Sequence, residues 1–182
     1  ARSRSFDEAV TLEVLRASEH RITPRCPHFG TCGGCVLQHL DAEQQIIAKD
    51  RVLRENFERI GHVTPKRWMA PLVDHAWGYR RKGRFSVKRV EKKDKTLVGF
   101  RERDPRFVAD LHECHTVIPP IGAAIPALCA LVDGLDARGD IPQIEFIAGD
   151  PTPEFDGVAL VFRHLQPLGE RDLAALTDFG QQ

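Results

Sequence analysis

Three of the five cysteines in this 182-residue chain lie within ten residues, in the segment CPHFGTCGGC at 26–35. Thiols this close together either form disulfides or bind a metal. The sequence shows no charged and apolar export leader, so we expect a reducing compartment. Clustered thiols in such a compartment bind a metal more often than they form disulfides. The segment is therefore predicted to be a metal-binding loop.

A tetrahedral thiolate site needs a fourth ligand, and two cysteines are available for it. Cys129 lies in AAIPALCALVDGL, an apolar helical pattern that is typical of a buried structural cysteine. Cys114 lies in DLHECHTVIPP, where polar neighbours and a proline break let the side chain turn outward. The predicted ligands are therefore Cys26, Cys32, Cys35 and Cys114, spaced Cys-x5-Cys-x2-Cys-x78-Cys.

Four thiolates suit either a tetrahedral zinc ion or an iron–sulfur cluster. Structural zinc sites usually combine two close pairs of ligands, whereas three local cysteines and a remote one favour a [4Fe–4S] cluster. Glycines at 30, 33 and 34 would let backbone amides approach the sulfides. Four nearby histidines keep a mixed Cys/His zinc site open as the alternative: His28, His39, His112 and His115.

The charges of the chain cancel overall but are unevenly distributed along it. Residues 80–103 contain eleven basic and three acidic residues, whereas residues 104–182 contain four and thirteen. Within WGYRRKGRFSVKRV, at 77–90, cations alternate with apolar residues as they do in a half-buried strand. One predicted face carries Arg80, Lys82, Arg84, Ser86 and Lys88, and the other carries Tyr79, Phe85 and Val87.

Such a cationic face suits a phosphate backbone, and Trp77 and Tyr79 could stack on unpaired bases. No long helix carries a cationic stripe, so RNA is a better candidate than the major groove of DNA. The predicted RNA-binding residues are Trp77, Tyr79, Arg80, Lys82, Arg84 and Lys88. The alternative interpretation is a solvated charged face without a ligand.

Hydrophobic periodicity predicts an α+β fold with a mixed, mainly antiparallel sheet and packed helices, to which the cysteine-rich loop is attached. Asp41 and Gln44 are spaced as a capping box at the start of one helix, whose apolar stripe contains Ile46, Leu53, Phe57 and Ile60. The predicted helices are 41–60, 121–135 and 170–179; the predicted strands are 10–14, 80–90, 96–104, 107–111, 143–149 and 157–165, with a hairpin turn at 90–95.

The segment TPRCPHFGTCGGCVLQHL, at 23–40, resembles the cluster-binding signature of the bacterial RNA 5-methyluridine methyltransferases. Three later segments are similar to that family in the same order: WGYRRKGRFSV, VGFRERDPRFVADLHECHTV and LVFRHLQPL. The likeness extends from about residue 10 to the end of the chain. It is greatest to the members that modify 23S ribosomal RNA and carry a [4Fe–4S] cluster.

The resemblance implies that the four predicted cysteines bind a [4Fe–4S] cluster that organises an RNA-contacting domain without redox chemistry. It also implies 23S ribosomal RNA as the partner and S-adenosylmethionine as the methyl donor of the full-length enzyme. Residues 1–25 would be the remnant of a TRAM-type β-barrel, with its last strand at about 10–22. Residues 26–182 would form the central iron–sulfur domain, with helix 41–60 packing on a catalytic domain absent from this chain.

The sequence contains no glycine-rich strand-to-helix turn followed by an acidic residue, as nucleotide-type cofactor binding would need. It offers no activated cysteine nucleophile either, so the chain alone is expected to be catalytically inactive. We expect a cytoplasmic protein with no membrane span and no protein partner beyond its own missing domains. The alternative functions are a self-contained redox iron–sulfur protein and a zinc-stabilised RNA-binding module.

Overall fold

The structure is a computed structural model that describes residues 7, 9–153 and 157–181. They form an α+β fold whose four-stranded sheet is antiparallel throughout, in the order β2-β1-β3-β4, which confirms the predicted fold class. The elements in chain order are α1 (Ala42–Arg59), β1 (Lys82–Val90), a short 3-10 turn (Glu91–Lys93), β2 (Lys95–Gly99), α2 (Pro119–Gly134), β3 (Gln143–Ala148), β4 (Val158–Arg163) and α3 (Glu170–Gly180).

The sheet has one buried face and one exposed face, as the alternation in β1 predicts. Phe85 and Val87 are buried, whereas Lys82, Arg84 and Lys88 are exposed. The buried face packs against the apolar side of α2, which contributes Ile121, Ile125, Leu128 and Val132 to a single core. The remaining core positions on β3 are Ile144 and Phe146.

A glycine in β1 makes room for an aromatic ring of this core. A Cβ atom at Gly83 would lie 2.5 Å from Cζ of Phe146, because the Phe146 ring crosses directly over β1 at that point. The ring also packs against Phe85, with ring centroids 5.0 Å apart. Any side chain at position 83 would therefore displace a fully buried ring.

Hydrogen bonds of two charged side chains connect the elements around the core. The nearly buried Arg89 guanidinium donates to Asp133 of α2 at 2.7 Å and also pairs with Asp94 after the hairpin turn. The buried Asp172 carboxylate, in the first turn of α3, accepts from the amides of Asp136 and Ala137 at 2.8 and 3.0 Å. The β1–β2 hairpin and α3 are thus both fixed to α2.

Helix α1 confirms the predicted helix 41–60 within one residue at each end. Asp41 caps it by accepting from the Gln44 amide at 2.9 Å, and the amide of Gly61 donates back to Asn56. None of its residues is buried, and its predicted apolar stripe is largely exposed at Leu53, Phe57 and Ile60.

Two predicted strands are wrong. Residues 10–14 form no strand, and Val10 and Leu12 are 84% and 96% exposed, because no neighbouring strand supplies the hydrogen bonds that a strand needs. Residues 107–111 form only an isolated bridge between Arg101 and Val108. The returning strand of the hairpin also ends early, at Gly99, where the chain turns toward the cysteine loop.

The described residues form three α-helices. None of them combines the length and the apolar character needed to cross a bilayer.

Candidate metal centre and nucleic-acid interface

The four predicted metal ligands line one small cavity. Cys26, Cys32 and Cys35 reach it from the loop at 26–35, and Cys114 reaches it from the segment before α2. Gln38, Phe100 and Thr116 complete much of its wall, together with His28 and His115 among the histidines. The structure thus brings together thiols that are separated by 78 residues in the sequence.

Backbone hydrogen bonds hold the cysteine loop against the chain that follows β2. The Gly33 amide donates to the Arg101 carbonyl at 2.9 Å, and the Arg103 amide donates to the Thr31 carbonyl at 3.0 Å. A Cβ atom at Gly33 would lie 2.9 Å from the carbonyl oxygen of Glu102, so this approach requires glycine. The buried Gln38 side chain accepts from the Cys26 amide at 3.1 Å and so holds the start of the loop.

Helix α2 positions the fourth cysteine through a proline and a glycine. Pro126 has no amide hydrogen to give to the Gly122 carbonyl four residues earlier. The Cys114 amide donates to that carbonyl instead, at 3.3 Å. A Cβ atom at Gly122 would overlap the Cys114 carbonyl oxygen, so only glycine allows the contact. The local sequence pattern indicates neither role.

The thiols of this cavity interact electrostatically and are partly desolvated. Burial raises the pKa of the Cys26 and Cys32 thiols above the ordinary value, and the neighbouring Cys35 and Cys114 raise it further. The Gly34 amide donates to Sγ of Cys32 at 3.4 Å, which acts in the opposite direction. Burial therefore favours the protonated form of the Cys26 and Cys32 thiols.

Four cysteines can bind either one zinc ion or a [4Fe–4S] cluster, and the two require different distances between the sulfurs. Within the part of the chain that the structure describes, no three His, Cys, Asp or Glu side chains converge as ligands of a single metal ion do. Four sulfurs around one zinc lie about 3.8 Å apart, given Zn–S bonds of about 2.3 Å. In a [4Fe–4S] cluster each cysteine binds a different iron, so the sulfurs stand further apart. His28 and His115 also line the cavity, and Nε2 of His28 accepts from the His112 amide at 3.2 Å.

Cys129 lies outside the cavity, half-buried on α2 beside the core. We expect Cys129→Ala to leave the iron content of the protein unchanged and to lower the free energy of unfolding by about 1–2 kcal/mol, the cost of a small cavity. Iron analysis and chemical denaturation measure the two quantities. A loss of iron in this variant would show that Cys129 is a ligand.

The predicted RNA-binding residues occupy two different settings. Lys82, Arg84 and Lys88 lie exposed on β1. Arg80 precedes the strand, is partly buried, and places its guanidinium 5.3 Å from the centroid of the Phe100 ring in the cavity wall. Arg80 therefore connects the cationic strand to the cysteine site.

The two predicted stacking residues differ in their exposure. Tyr79 was expected on the core side of the strand; this is wrong, because β1 begins only at Lys82 and Tyr79 is 51% exposed. Trp77 is partly covered, with the Arg25 guanidinium 5.4 Å from its ring centroid and His115 against its edge. Tyr79 thus offers a freer ring to a ligand than Trp77 does.

The exposed cations of β1 form no ion pair with a described acidic residue, whereas some other cations of the fold do. Several cations elsewhere form ion pairs, among them Arg81 with Asp150, Lys95 with Asp110, Arg106 with Asp104 and Arg54 with Asp50. Among the described residues, Lys82, Arg84 and Lys88 have no such acidic partner, and neither does Arg163 on the same face of β4. Arg163 was missed because its strand carries no other charge. Unpaired cations on one face leave that face free for an anionic ligand.

Curated proteins match the chain over its whole length, although no protein-family profile does. The matches confirm the predicted resemblance to the RNA 5-methyluridine methyltransferases. The relatives are 23S rRNA (uracil(1939)-C(5))-methyltransferases RlmD: that of Xanthomonas campestris pv. campestris strain 8004 is 68% identical over 181 residues, and that of Stenotrophomonas maltophilia strain K279a is 67% identical over 182 residues. The chain spans 40% of the length of each relative and is itself fully covered.

Proposed function

We propose that this chain is the iron–sulfur, RNA-contacting part of an S-adenosylmethionine-dependent methyltransferase that forms 5-methyluridine in 23S ribosomal RNA. The observation that carries the proposal is the convergence of four thiols on one cavity, next to a strand whose exposed cations Lys82, Arg84 and Lys88 pair with none of the described acidic residues. The identity to RlmD relatives supports uracil 1939 as the target. With that RNA as its partner, the protein would act in the cytoplasm.

The cysteine cavity fits a [4Fe–4S] cluster through its donor set. Cys26, Cys32, Cys35 and Cys114 would each bind one iron, and glycines at 33 and 34 keep the surrounding backbone close. When bound, the cluster would supply four strong bonds between two distant segments. Its proposed role is structural: it holds the cysteine loop, Arg80 and the start of β1 in one arrangement.

Metal analysis of the anaerobically purified chain tests this assignment. Four irons with matching sulfide per chain are expected, and one zinc without sulfide would support the zinc-stabilised module instead. If the chain is instead a self-contained redox protein, its cluster should have a reversible reduction potential in the physiological range. The structural role predicts that RNA affinity is the same whether the cluster is oxidised or reduced.

The cations of β1 give a quantitative prediction for RNA binding. Arg84→Gln combined with Lys88→Gln should weaken binding and lower the slope of log affinity against log salt by about 1.4, since each phosphate contact to single-stranded RNA contributes about 0.7. Fluorescence titrations of a stem-loop that contains the target uridine, at several salt concentrations, measure the slope. Arg106→Gln is the control, because Arg106 is already paired with Asp104. An unchanged slope in the double variant would reject the phosphate-binding role.

The proposed enzyme activity requires the part of the relatives that this chain does not cover. We expect the chain alone to transfer no methyl group. A chimera in which the chain replaces the matching segment of the X. campestris enzyme should methylate 23S ribosomal RNA, as the 68% identity suggests. Failure of a folded, iron-containing chimera to bind that RNA would contradict the proposal.

The exposed apolar residues indicate where the remainder of the enzyme would pack. Most large apolar side chains that are exposed in the described structure precede residue 80, whereas few follow it. Helix α1 is proposed to pack its stripe, with Leu53 and Phe57, on the catalytic domain. Residues 1–25 are proposed to be the end of the TRAM-type barrel; residues 1–6 and 8 of that stretch lie outside the described residues.

A further inference from the structure

The exposed face of the sheet continues beyond β1 onto β3 and β4. The antiparallel register places Arg84 opposite Glu145, which is opposite Val161, and places Ser86 opposite Gln143, which is opposite Arg163. A third row joins Lys82, Ile147 and Ala159. We call these residues the open sheet face; their neighbours on the three strands, such as Phe85, Ile144 and Phe162, point to the core.

The two halves of the open sheet face differ in chemistry. The β1 half carries Lys82, Arg84 and Lys88 and no acidic residue. The β3–β4 half carries exposed aliphatic side chains at its centre, Ile147 at 36% and Val161 at 50% exposure. Its polar groups are Gln143, Glu145 and, at the end of β4, Arg163.

We infer that an unpaired RNA strand lies along β1 with its phosphates on Lys82, Arg84 and Lys88, and that its bases extend across β3 and β4 over Ile147 and Val161, where Arg163 contacts a base edge. This inference rests on the proposed function and deepens it. RNA recognition motifs also bind unpaired bases on the open face of a four-stranded sheet, although there the bases stack on aromatic side chains and here they would lie on aliphatic ones.

The spacing of the strand residues suits this path. Residues two apart on a strand are separated by about 6.7 Å, which is comparable to the distance between successive phosphates of an extended single strand. Adjacent strands are about 4.8 Å apart, so Arg163 lies about 10 Å from β1 across two strand spacings. A base attached to a phosphate on β1 would cover that distance.

The negative charge of Glu145 on β3 determines which half of the open sheet face binds the phosphates. The Glu145 carboxylate accepts from the Gln143 side-chain amide at 2.8 Å and remains in the middle of the sheet. Its negative charge disfavours a phosphate there and favours neutral bases. Arg163 has the fork geometry that recognises two acceptors of a guanine edge. The Arg163 side chain is therefore assigned a role in base preference and not in phosphate binding.

Two substitutions on the β3–β4 half test the inference in the complete chain. Val161→Phe should strengthen RNA binding about fivefold, because an aromatic ring offers bases a better stacking surface than valine does. Arg163→Gln should weaken binding of a guanine-containing RNA about tenfold and narrow the difference between guanine and the other bases. It should leave the salt slope unchanged, whereas loss of phosphate contacts on β1 lowers the slope.

The probes are fluorescein-labelled single-stranded RNAs of about 12 nucleotides that differ only in one central base. Leu173→Phe is the matched control, because Leu173 is equally exposed on α3, which packs on α2 behind the sheet. The inference is overturned if Val161→Phe and Leu173→Phe change RNA affinity equally, or if Arg163→Gln preserves the base preference. Either result would leave the proposed function intact if the double variant Arg84→Gln, Lys88→Gln still lowers the slope of log affinity against log salt.

Discussion

Replacing Cys32 with serine is expected to abolish iron binding and to loosen two segments together, the cysteine loop and the segment around Cys114. Cys32 is the most buried of the four thiols and belongs to the hydrophobic core. It also pairs with Glu102 in an isolated bridge, so the loop reaches the chain after β2 through this residue. A serine oxygen is a poor ligand for iron and leaves a polar group in the core.

Iron content, visible absorbance and amide hydrogen exchange measure this effect. Exchange should accelerate at residues 26–39 and 110–117 and remain slow in β1 and β3. Cys129→Ser makes the same chemical change at a thiol outside the cavity and should keep its iron. Full iron content and unchanged exchange in Cys32→Ser would contradict the assignment of the site.

Phe85→Ala is expected to lower the free energy of unfolding by about 3–5 kcal/mol, the usual cost of removing a fully buried phenylalanine. The Phe85 ring is fully buried and packs against both Phe100 and Phe146, at 5.1 and 5.0 Å between centroids. Phe100 lines the cysteine cavity, so removal of the Phe85 ring behind it should also widen that cavity.

Chemical denaturation of the iron-free chain and of the iron-loaded chain measures the effect in both forms. Arg84→Ala is the control, since Arg84 is the preceding residue of the same strand but lies on the exposed face. The control should change stability by less than about 0.5 kcal/mol. Equal losses of unfolding free energy in Phe85→Ala and Arg84→Ala would contradict the assignment of one buried and one exposed face to β1.

Local patterns were sufficient to predict much of this fold. Alternation in β1 determined which residues face the core, since successive strand side chains point to opposite faces. The Asp41 cap located the start of α1, because its carboxylate accepts from an amide three residues later. The polar surroundings of Cys114 also predicted that this cysteine, and not Cys129, joins the three cysteines of the loop at one cavity.

Features that depend on contacts between distant segments were not predictable in this way. The alternation at Val10–Val14 has the pattern of a strand, but a strand also needs a neighbour, and the pattern cannot show whether one is present. The roles of Gly122 and Pro126 appear only when Cys114 is placed on the first turn of α2. Arg163 joins the cationic residues only through the register of β3 with β4.

The remote position of Cys114 also affects the thermodynamics of the unfolded chain. A cluster bound by all four cysteines would close a loop of the 78 residues between Cys35 and Cys114, which contains α1 and the whole β1–β2 hairpin. A disulfide that closes a loop of about this length reduces the entropy of the unfolded chain by the equivalent of about 4.5 kcal/mol. The proposed cluster would therefore stabilise the fold chiefly by making the unfolded chain less favourable.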